Sequence, residues 1–292
     1  MSTMTSLRTA RRRHYLVCRP AFFAVDYAIN PWMDPAAPAD RGAAMRQWDR
    51  LPATLRRLGH RVDLIDPVPG LPDMVFAANG ATVVDGTALV ARFRHAERAP
   101  EAPAYARWFR AHGFAPVRTA SHVNEGEGDL LPVGGRILAG SGFRTEPAAH
   151  REVERLFGRP VVTLTLVDPR FYHLDTALTV LADDQVMYYP PAFDAAGRRV
   201  LEELYPAAII AAEADAEVLG LNAVSDGRHV ILPSAATGLA AKLRAAGFVP
   251  VPLDLPELLK AGGGAKCCTL ELRPPCAVPD GAAGLAGGSA RR

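Results

Sequence analysis

The sequence predicts an α/β protein in which five similar units of helix, strand and hairpin form a ring of blades around a central channel. Two observations support this prediction. Amphipathic segments alternate with short β-rich runs, and one polar residue recurs at the same place in each unit. A ring of repeated units leaves few sheet edges exposed, which is the physical advantage of such an arrangement.

The helices are predicted first. Five stretches are followed by short β-rich runs, and most carry apolar residues at three- and four-residue spacing and end near Gly or Pro, as amphipathic helices do. They are residues 43–60, 101–114, 146–158, 195–206 and 235–248.

Hairpin signatures, two β runs around a turn, follow four of these units. They are residues 81–93, 129–141, 177–189 and 223–233. The fifth unit is followed by a single β run, "CCTLELRP" (267–274), rather than by a hairpin. We expect the missing second strand of this hairpin to be the opening strand "HYLVCRPAFFAV" (14–25). This organisation predicts one domain over residues 13–276, with disordered tails at 1–12 and 277–292.

Composition limits the function classes. The 292 residues are 49% hydrophobic, which is ample for a core, and a net charge of +2 lacks the basic face of a dedicated nucleic-acid binder. No apolar run approaches the roughly 20 residues that span a bilayer. We therefore expect a cytoplasmic protein that binds neither nucleic acid nor membrane, with a homo-oligomer left open.

One polar residue precedes each hairpin position. These landmark residues are Asn79, Glu125, His173, Asn222 and Cys267, with separations of 46, 48, 49 and 45 residues. So regular a spacing predicts that all five face one central channel.

The four cysteines are too few and too unevenly spaced for a disulfide scaffold. The sequence has no C-x-x-C motif of the kind that binds zinc. Neighbouring side chains of a strand point to opposite faces, so only one of Cys267 and Cys268 is expected to face the channel. The glycine run Gly262–Gly264 would allow close approach of backbone and substrate. We predict Cys267 as a nucleophile, and Cys18 and Cys276 as structural.

A thiol, an imidazole and a carboxylate around one axis favour nucleophilic catalysis. His173 lies in the landmark register, and His122 is the only histidine near it. The segment "NEGEGD" offers Glu125, Glu127 and Asp129, which could hold a planar cation such as guanidinium.

With these residues in hand, the chain resembles the guanidine-modifying superfamily of the pentein fold, a five-bladed α/β propeller. The superfamily contains dimethylarginine dimethylaminohydrolase, arginine deiminase, arginine dihydrolase and arginine:glycine amidinotransferase. The resemblance covers roughly residues 14–273. It rests on "FAANG" (76–80), "EGEGD" (125–129), "HLDT" (173–176) and "GGGAKCCT" (262–269).

The resemblance implies that Cys267 is the nucleophile, His173 the general acid and base, and Glu125 the carboxylate that grips the guanidinium. Family members usually read E-G-G-D where this chain reads E-G-E-G-D, so Glu125 and Glu127 both stay open. It implies an arginine-like substrate, a covalent thiouronium intermediate, and no metal or organic cofactor.

Substrate-binding and supporting residues are implied as well. They are Asn30, Phe76, Asn79, Arg98, Asp129, Arg144, Asp175 and Asn222. Arg144 would bind the substrate's α-carboxylate with help from Arg98. Dimethylargininases commonly have Asp where Asn79 stands, whereas arginine dihydrolases resemble this chain there and at Asn30.

The implied activity is therefore dimethylargininase-like, releasing dimethylamine and citrulline. An arginine dihydrolase or deiminase is the alternative, and an amidinotransferase is the second alternative. Two further interpretations fit less well. One is a non-catalytic pentein protein, but such proteins lack the set of thiol, imidazole and carboxylate. The other is a redox-active pair of cysteines, but adjacent cysteines form a disulfide only with strain.

Overall fold

The computed structural model describes residues 8–274. Among them are eight α-helices. They are α1 (Arg41–Arg57), α2 (Ala102–Ala111), α3 (Pro147–Phe157), α4 (Leu174–Ala177), α5 (Ala195–Leu204), α6 (Glu213–Ala216), α7 (Thr237–Ala245) and α8 (Pro256–Leu259).

Fifteen strands form five sheets of three strands each. The strands are β1 (His14–Cys18), β2 (Arg61–Ile65), β3 (Ala81–Val84), β4 (Thr87–Val90), β5 (Val117–Thr119), β6 (Leu130–Val133), β7 (Arg136–Ser141), β8 (Val161–Thr165), β9 (Leu178–Ala182), β10 (Gln185–Tyr188), β11 (Ile209–Ile210), β12 (Val224–Ser225), β13 (His229–Leu232), β14 (Val249–Pro252) and β15 (Leu270–Glu271).

All five sheets share one topology. In each, the first strand pairs antiparallel with the second, and the second pairs parallel with the third. We call β3, β6, β9, β12 and β15 the leading strands, since each begins its sheet. In the sheet β15-β1-β2, Leu16 is paired with Leu270 and Asp63. The predicted five-module fold is therefore confirmed, including the pairing of the opening strand with the last module.

The long helices begin and end where the sequence signals lie. In α1 the side chain of Asp40 accepts a hydrogen bond from Ala43 N (2.9 Å), which caps the first turn. Trp48, Leu51 and Leu55 form its buried face at three- and four-residue spacing. Helix α3 ends at Gly158, whose φ of 61° is the left-handed conformation that glycine adopts without steric cost.

The short helices α4, α6 and α8 are not predicted by the sequence pattern. Each has four residues, which is too short to show an amphipathic repeat or to be stable in isolation. Helix α4 matters for function, because it directly follows His173 and carries Asp175.

The predicted N-terminal tail, residues 1–12, is corrected in part. The guanidinium of Arg8 donates to Ala246 O (3.2 Å) and lies 4.3 Å from the ring centre of Phe248, and Arg11 N donates to Asp226 O (2.8 Å). Packing against the sheets therefore begins at Arg8. Residues 1–7 and the predicted tail 277–292, together with Cys276, lie outside the described residues. Within residues 8–274, no helix is long and apolar enough to cross a membrane.

Candidate active site

The five landmark residues lie in the turns that precede the five leading strands. All of them are at most 2% exposed. Contacts join them across the modules: Asn79 Nδ2 donates to Glu125 O (3.4 Å), His173 bonds to Glu125, and Asn222 bonds to Cys267. The side chains that the sequence spacing placed in one register therefore meet at one end of the leading strands.

Glu125 and His173 form a carboxylate–imidazole pair in this site. Glu125 Oε2 is 2.8 Å from His173 Nε2 and accepts from Arg144 Nη1 (2.7 Å). Burial raises the pKa of Glu125, but Arg144 and His173 outweigh it and hold the pKa well below its ordinary value. Glu125 is therefore ionised. His122, the other candidate, lies on the surface against Glu146 with 41% of its side chain exposed.

Glu127 does not face His173. Its carboxylate accepts from Lys266 Nζ (2.9 Å) and from Glu271 N (3.1 Å), and it also pairs with Arg273. Of the two carboxylates that the inserted residue left open, Glu125 is the one that contacts the imidazole.

The two glycines of "EGEGD" allow this turn to pack tightly. Gly126 has a φ of 53°, in the left-handed region. A Cβ atom at Gly128 would lie 2.3 Å from Asn79 Nδ2 and 3.2 Å from His173 Cγ. Any larger residue at position 128 would collide with two landmark side chains.

Cys267 lies in a turn rather than in a strand, because β15 begins only at Leu270. The prediction that Cys267 and Cys268 point to opposite faces of one strand is therefore wrong, because neither residue lies in a strand. Cys267 Sγ is 3.0 Å from Asn222 Nδ2 and 3.3 Å from Asp175 Oδ2. Cys268 is fully buried and belongs to the apolar core.

Asn222, for which a substrate-binding role is predicted, is bonded in the structure to the cysteine turn. Its Oδ1 accepts from Cys267 N (3.0 Å) and Gly264 N (2.9 Å), while Nδ2 donates to Cys267 Sγ and to Asp175 O (3.1 Å). A side-chain amide offers two donors and two acceptor sites, so its capacity is filled. Asn222 positions the thiol.

Asp129 holds the His173 turn in place, and Asp175 joins that turn to the thiol of Cys267. Asp129 Oδ1 accepts from Leu174 N (3.0 Å), and burial raises the pKa of Asp129 to about 6. Burial raises the pKa of Asp175 to about 7, opposed mainly by Lys266. Two buried atoms of this turn have no partner among the described residues, His173 Nδ1 and Asp175 Oδ1.

The thiol of Cys267 is protonated in this environment. Burial raises the pKa of Cys267 well above its ordinary value, and the neighbouring Asp175 raises it further. A desolvated thiol becomes a nucleophile only when a positive charge lies beside it.

Arg98 and Arg144 are both occupied by protein acceptors. Arg98 forms two bonds with Glu101 (2.8 and 2.9 Å) and donates to Asn79 Oδ1 (2.8 Å). Arg144 neutralises the buried Glu125 and donates to Ile29 O (2.8 Å). In the structure Arg144 binds the carboxylate of Glu125, because a buried carboxylate needs a counter-charge. The role predicted for Arg144, binding of the substrate's α-carboxylate, stays a prediction.

Asn30 and Phe76 lie on segments that cover the cysteine turn. Asn30 Nδ2 donates to Ala261 O (3.1 Å), and its Oδ1 accepts from Trp32 N (2.9 Å). The ring of Phe76 packs on Gly263, where a Cβ atom would lie 2.3 Å from Phe76 Cε1. The glycine run thus makes room for a side chain of the protein itself.

Asp73 is a site candidate that the sequence reasoning missed. It is 2% exposed, its Oδ2 accepts from Tyr27 OH (2.8 Å), and its Oδ1 has no partner among the described residues. Arg98 Nη2 donates to its carbonyl (3.2 Å). The signal was present, since an acidic residue stands three positions before Phe76 in "LPDMVF". Over residues 8–274, no group of three or more His, Cys, Asp or Glu side chains could hold a metal ion.

Comparisons with known proteins agree with this geometry. A family model described as "N,N dimethylarginine dimethylhydrolase, eukaryotic" matches residues 23–274. A protein of Mycobacterium tuberculosis named N(G),N(G)-dimethylarginine dimethylaminohydrolase is 60% identical over 267 residues, which is 91% of this chain and 88% of the relative. Fold and relatives together define a pentein-fold hydrolase of C–N bonds. The chain belongs to the dimethylarginine dimethylaminohydrolase family.

A second set of relatives carries another name. The bifunctional arginine dihydrolase/ornithine cyclodeaminase ArgZ of Synechocystis is 40% identical over 271 residues, 91% of this chain but only 38% of the relative. The substrate-bound N-terminal domain of ArgZ superposes with a TM-score of 0.86 at 39% identity, covering 90% of this chain and 99% of that one. A Pseudomonas aeruginosa dimethylargininase complexed with citrulline, at 18% identity and a TM-score of 0.78 over 89% of this chain and 99% of that one, shares the fold.

Proposed function

We propose that this enzyme hydrolyses the guanidine group of dimethylarginine to citrulline and dimethylamine, with Cys267 as the covalent nucleophile. The observation that carries the proposal is the arrangement of two fully buried clusters at one end of the leading strands. One holds the ionised Glu125 against His173, and the other holds the thiol of Cys267 between Asn222 and Asp175. The named relative in Mycobacterium tuberculosis supports the substrate.

The chemistry follows from charge. Glu125 attracts the guanidinium, whose positive charge beside Cys267 favours the thiolate. The thiol proton passes to His173, and the sulfur attacks the guanidinium carbon. His173 then gives this proton to the departing amine as the C–N bond to dimethylamine breaks. Cys267 is left as a thiouronium.

A water molecule completes the reaction. His173, now neutral, takes a proton from this water, whose oxygen attacks the thiouronium carbon. The C–S bond breaks, the thiol of Cys267 is restored, and the product leaves with a ureido group.

The amino-acid end of the substrate needs its own partners. The free Oδ1 of Asp73 offers a buried acceptor for the α-ammonium group. Arg98 lies beside it, and two of its nitrogens are committed to Glu101. We assign Asp73 to the ammonium. We assign Arg98 and Arg144 to the carboxylate, which they would bind alongside the protein acceptors that they already hold.

Product analysis tests the proposal directly. Incubation with asymmetric dimethylarginine should release citrulline and dimethylamine in equal amounts. Acid quenching during turnover, followed by peptide mass spectrometry, should find the added amidine carbon on Cys267. An adduct on Cys268, or no dimethylamine, contradicts the proposal.

An arginine dihydrolase is the second candidate, and Asn79 favours it. An amide both donates and accepts hydrogen bonds, which suits a neutral ureido group as well as a cation. The likeness to ArgZ supports this alternative. Arginine and two waters would then yield ornithine, two ammonia molecules and carbon dioxide, with citrulline as a second substrate. Transfer of the amidine to an added amine would instead indicate an amidinotransferase.

A cytoplasmic location and a homo-oligomer remain predictions. Thiols are kept reduced in the cytosol, and Cys18, Cys267 and Cys268 are free, which supports the first. Gel filtration with light scattering would test the second.

A further inference from the structure

A cavity opens at the end of the leading strands opposite the landmark residues. Its volume is about 720 Å³, and its lining contains a residue at or just beyond the C-terminal end of every leading strand. These residues are Asp85, Gly134, Asp183, Ser225 and Leu272. The landmark side chains precede the same strands, so the two ends of one axis hold two different sites.

The lining of this cavity is strongly basic. It contains seven basic residues, Arg11, Arg12, Arg13, Arg61, Arg159, Lys266 and Arg273, and three acidic ones, Asp85, Asp183 and Glu271. Their formal sum, 7 − 3, is +4, whereas the whole chain carries +2, from 33 basic and 31 acidic residues. Positive charge concentrated in a concave surface raises the local concentration of anions.

Donors remain available in this lining. Arg13 Nε is buried without a partner, and Arg12 is exposed and forms no ion pair among the described residues. Arg159 pairs with Asp85 (2.7 Å) near the surface. Exposed pairs of this kind contribute at most about 1 kcal/mol, so an anionic ligand can replace the carboxylate.

The cavity also has an apolar part. Leu131, Leu178, Val180, Ala223 and Leu272 contribute to the lining. Its volume lies within the roughly 300–1,000 Å³ of small-molecule sites. Basic and apolar surfaces together suit a ligand with an anionic head and an apolar body.

We propose that this cavity binds a small molecule that carries two or more phosphate groups on an apolar or aromatic body. Guanidinium groups match phosphate oxygens with paired, charge-assisted hydrogen bonds. Lys266 lines the cavity and directly precedes Cys267, so the ligand lies against the segment that carries the thiol. The proposal does not depend on the reaction proposed above.

Titration calorimetry on the full chain with ADP, at physiological salt, tests the proposal. One saturable site is expected, and adenosine at the same concentration should give no heat. Saturating citrulline should not displace ADP, because citrulline resembles the ligand of the other site.

Charge-reversal variants locate the site. Arg159→Glu and Arg12→Glu should each weaken ADP binding roughly tenfold or more, about the loss of one charge-assisted contact. Arg19→Glu is the matched control, since Arg19 also pairs with an exposed aspartate, Asp49 (2.8 Å), away from the cavity. It should change the affinity less than twofold.

Several results overturn the proposal. They are the absence of saturable ADP binding to the unmodified chain, equal binding of adenosine, displacement by citrulline, and an equal loss in Arg19→Glu. Binding of RNA without binding of ADP also overturns it. An increase in the unfolding temperature of the unmodified chain with ADP gives an independent measurement that needs no variant.

Discussion

Glu125 and Glu127 are separated by one glycine and are both fully buried, yet they serve opposite ends of the axis. Glu125 contacts His173 and Arg144 at the end that holds the thiol. Glu127 pairs with Lys266 and Arg273, two residues that line the basic cavity. The turn Gly126–Gly128 thus divides two clusters of charge.

The difference between these carboxylates lies in their partners. Glu125 has the His173 imidazole and one arginine beside it, and in the proposed reaction it attracts the cationic guanidinium. Glu127 has a lysine, an arginine and the backbone N–H of Glu271 around it, which fixes the turn to β15. Equal burial therefore says little about function, and the chemistry of the neighbours decides it.

The two cysteines of the same turn give the largest expected difference. Cys267→Ser should abolish turnover, by at least about a thousandfold, because a serine hydroxyl is a far weaker nucleophile than a thiolate in this site. Cys268→Ser should keep most of the activity. Burying its hydroxyl without a partner should cost about 1–3 kcal/mol of stability.

Steady-state rates and urea unfolding of both variants measure this contrast. Equal loss of activity in two folded variants would show that the turn, rather than one sulfur, is what catalysis requires.

The glutamate pair comes second. Glu125→Gln should lower kcat by roughly 10²–10⁴-fold, the range of a lost acid–base partner. Glu127→Gln should mainly lower stability, by about 3–5 kcal/mol, because it leaves Lys266 and Arg273 short of a buried counter-charge.

The dependence of the free energy of unfolding on acid pH tests the structural role of Glu127 in a second way. Lys266 and Arg273 overcome burial and lower the folded-state pKa of Glu127. The stability that Glu127 contributes is therefore present above its unfolded pKa of about 4.3 and is lost as pH falls. Glu127→Gln should flatten this acid limb. A limb that is as steep as in the unmodified chain would mean that Glu127 forms no such pairs in solution.

The sequence predicts the fold well because the pattern repeats. Five amphipathic segments and four hairpins place the modules, and the landmark spacing predicts which turns face the axis. Helix ends are also predictable, as at Gly158, where local backbone chemistry decides.

The contacts within the site depend on tertiary structure and were less predictable. The sequence cannot show that the side-chain amide of Asn222 is hydrogen-bonded to the cysteine turn, or that Arg144 neutralises Glu125. It also suggests a strand at Cys267, where the chain forms a turn because Asn222 takes the N–H of Cys267. Such pairings join residues far apart in sequence, and no periodicity encodes them.

Asp175 links the two halves of the site and offers a smaller effect. Its carboxyl raises the pKa of Cys267, after the larger effect of burial. Asp175→Asn should therefore lower the pKa of the thiol and shift its alkylation by iodoacetamide, without substrate, to lower pH.

Asp175 also bears on stability. Burial raises its folded-state pKa to about 7, so ionisation costs stability as pH rises from its unfolded value of about 3.9 towards 7. Asp175→Asn should remove this loss between pH 4 and 7. An alkylation profile that moves to higher pH would contradict the assigned contact between Asp175 and Cys267.

Asn79 decides between the two candidate substrates, and its replacement gives the smallest expected change. Its Oδ1 accepts from Arg98 (2.8 Å), and its Nδ2 donates weakly to Glu125 O (3.4 Å). Asp at this position keeps the bond from Arg98 and turns a charge-assisted bond to a neutral amide into an ion pair.

Asn79→Asp also adds negative charge beside Glu125, which favours a guanidinium over a neutral ureido group. We expect it to weaken any citrulline hydrolysis selectively, by roughly tenfold or about 1.4 kcal/mol, and to spare or improve the first step. Product ratios from arginine, dimethylarginine and citrulline measure this. If the unmodified enzyme and Asn79→Asp both stop at citrulline with equal efficiency, Asn79 does not discriminate and the dihydrolase alternative is dropped. If ornithine forms only in the unmodified enzyme, the neutral amide is what lets a ureido group react a second time.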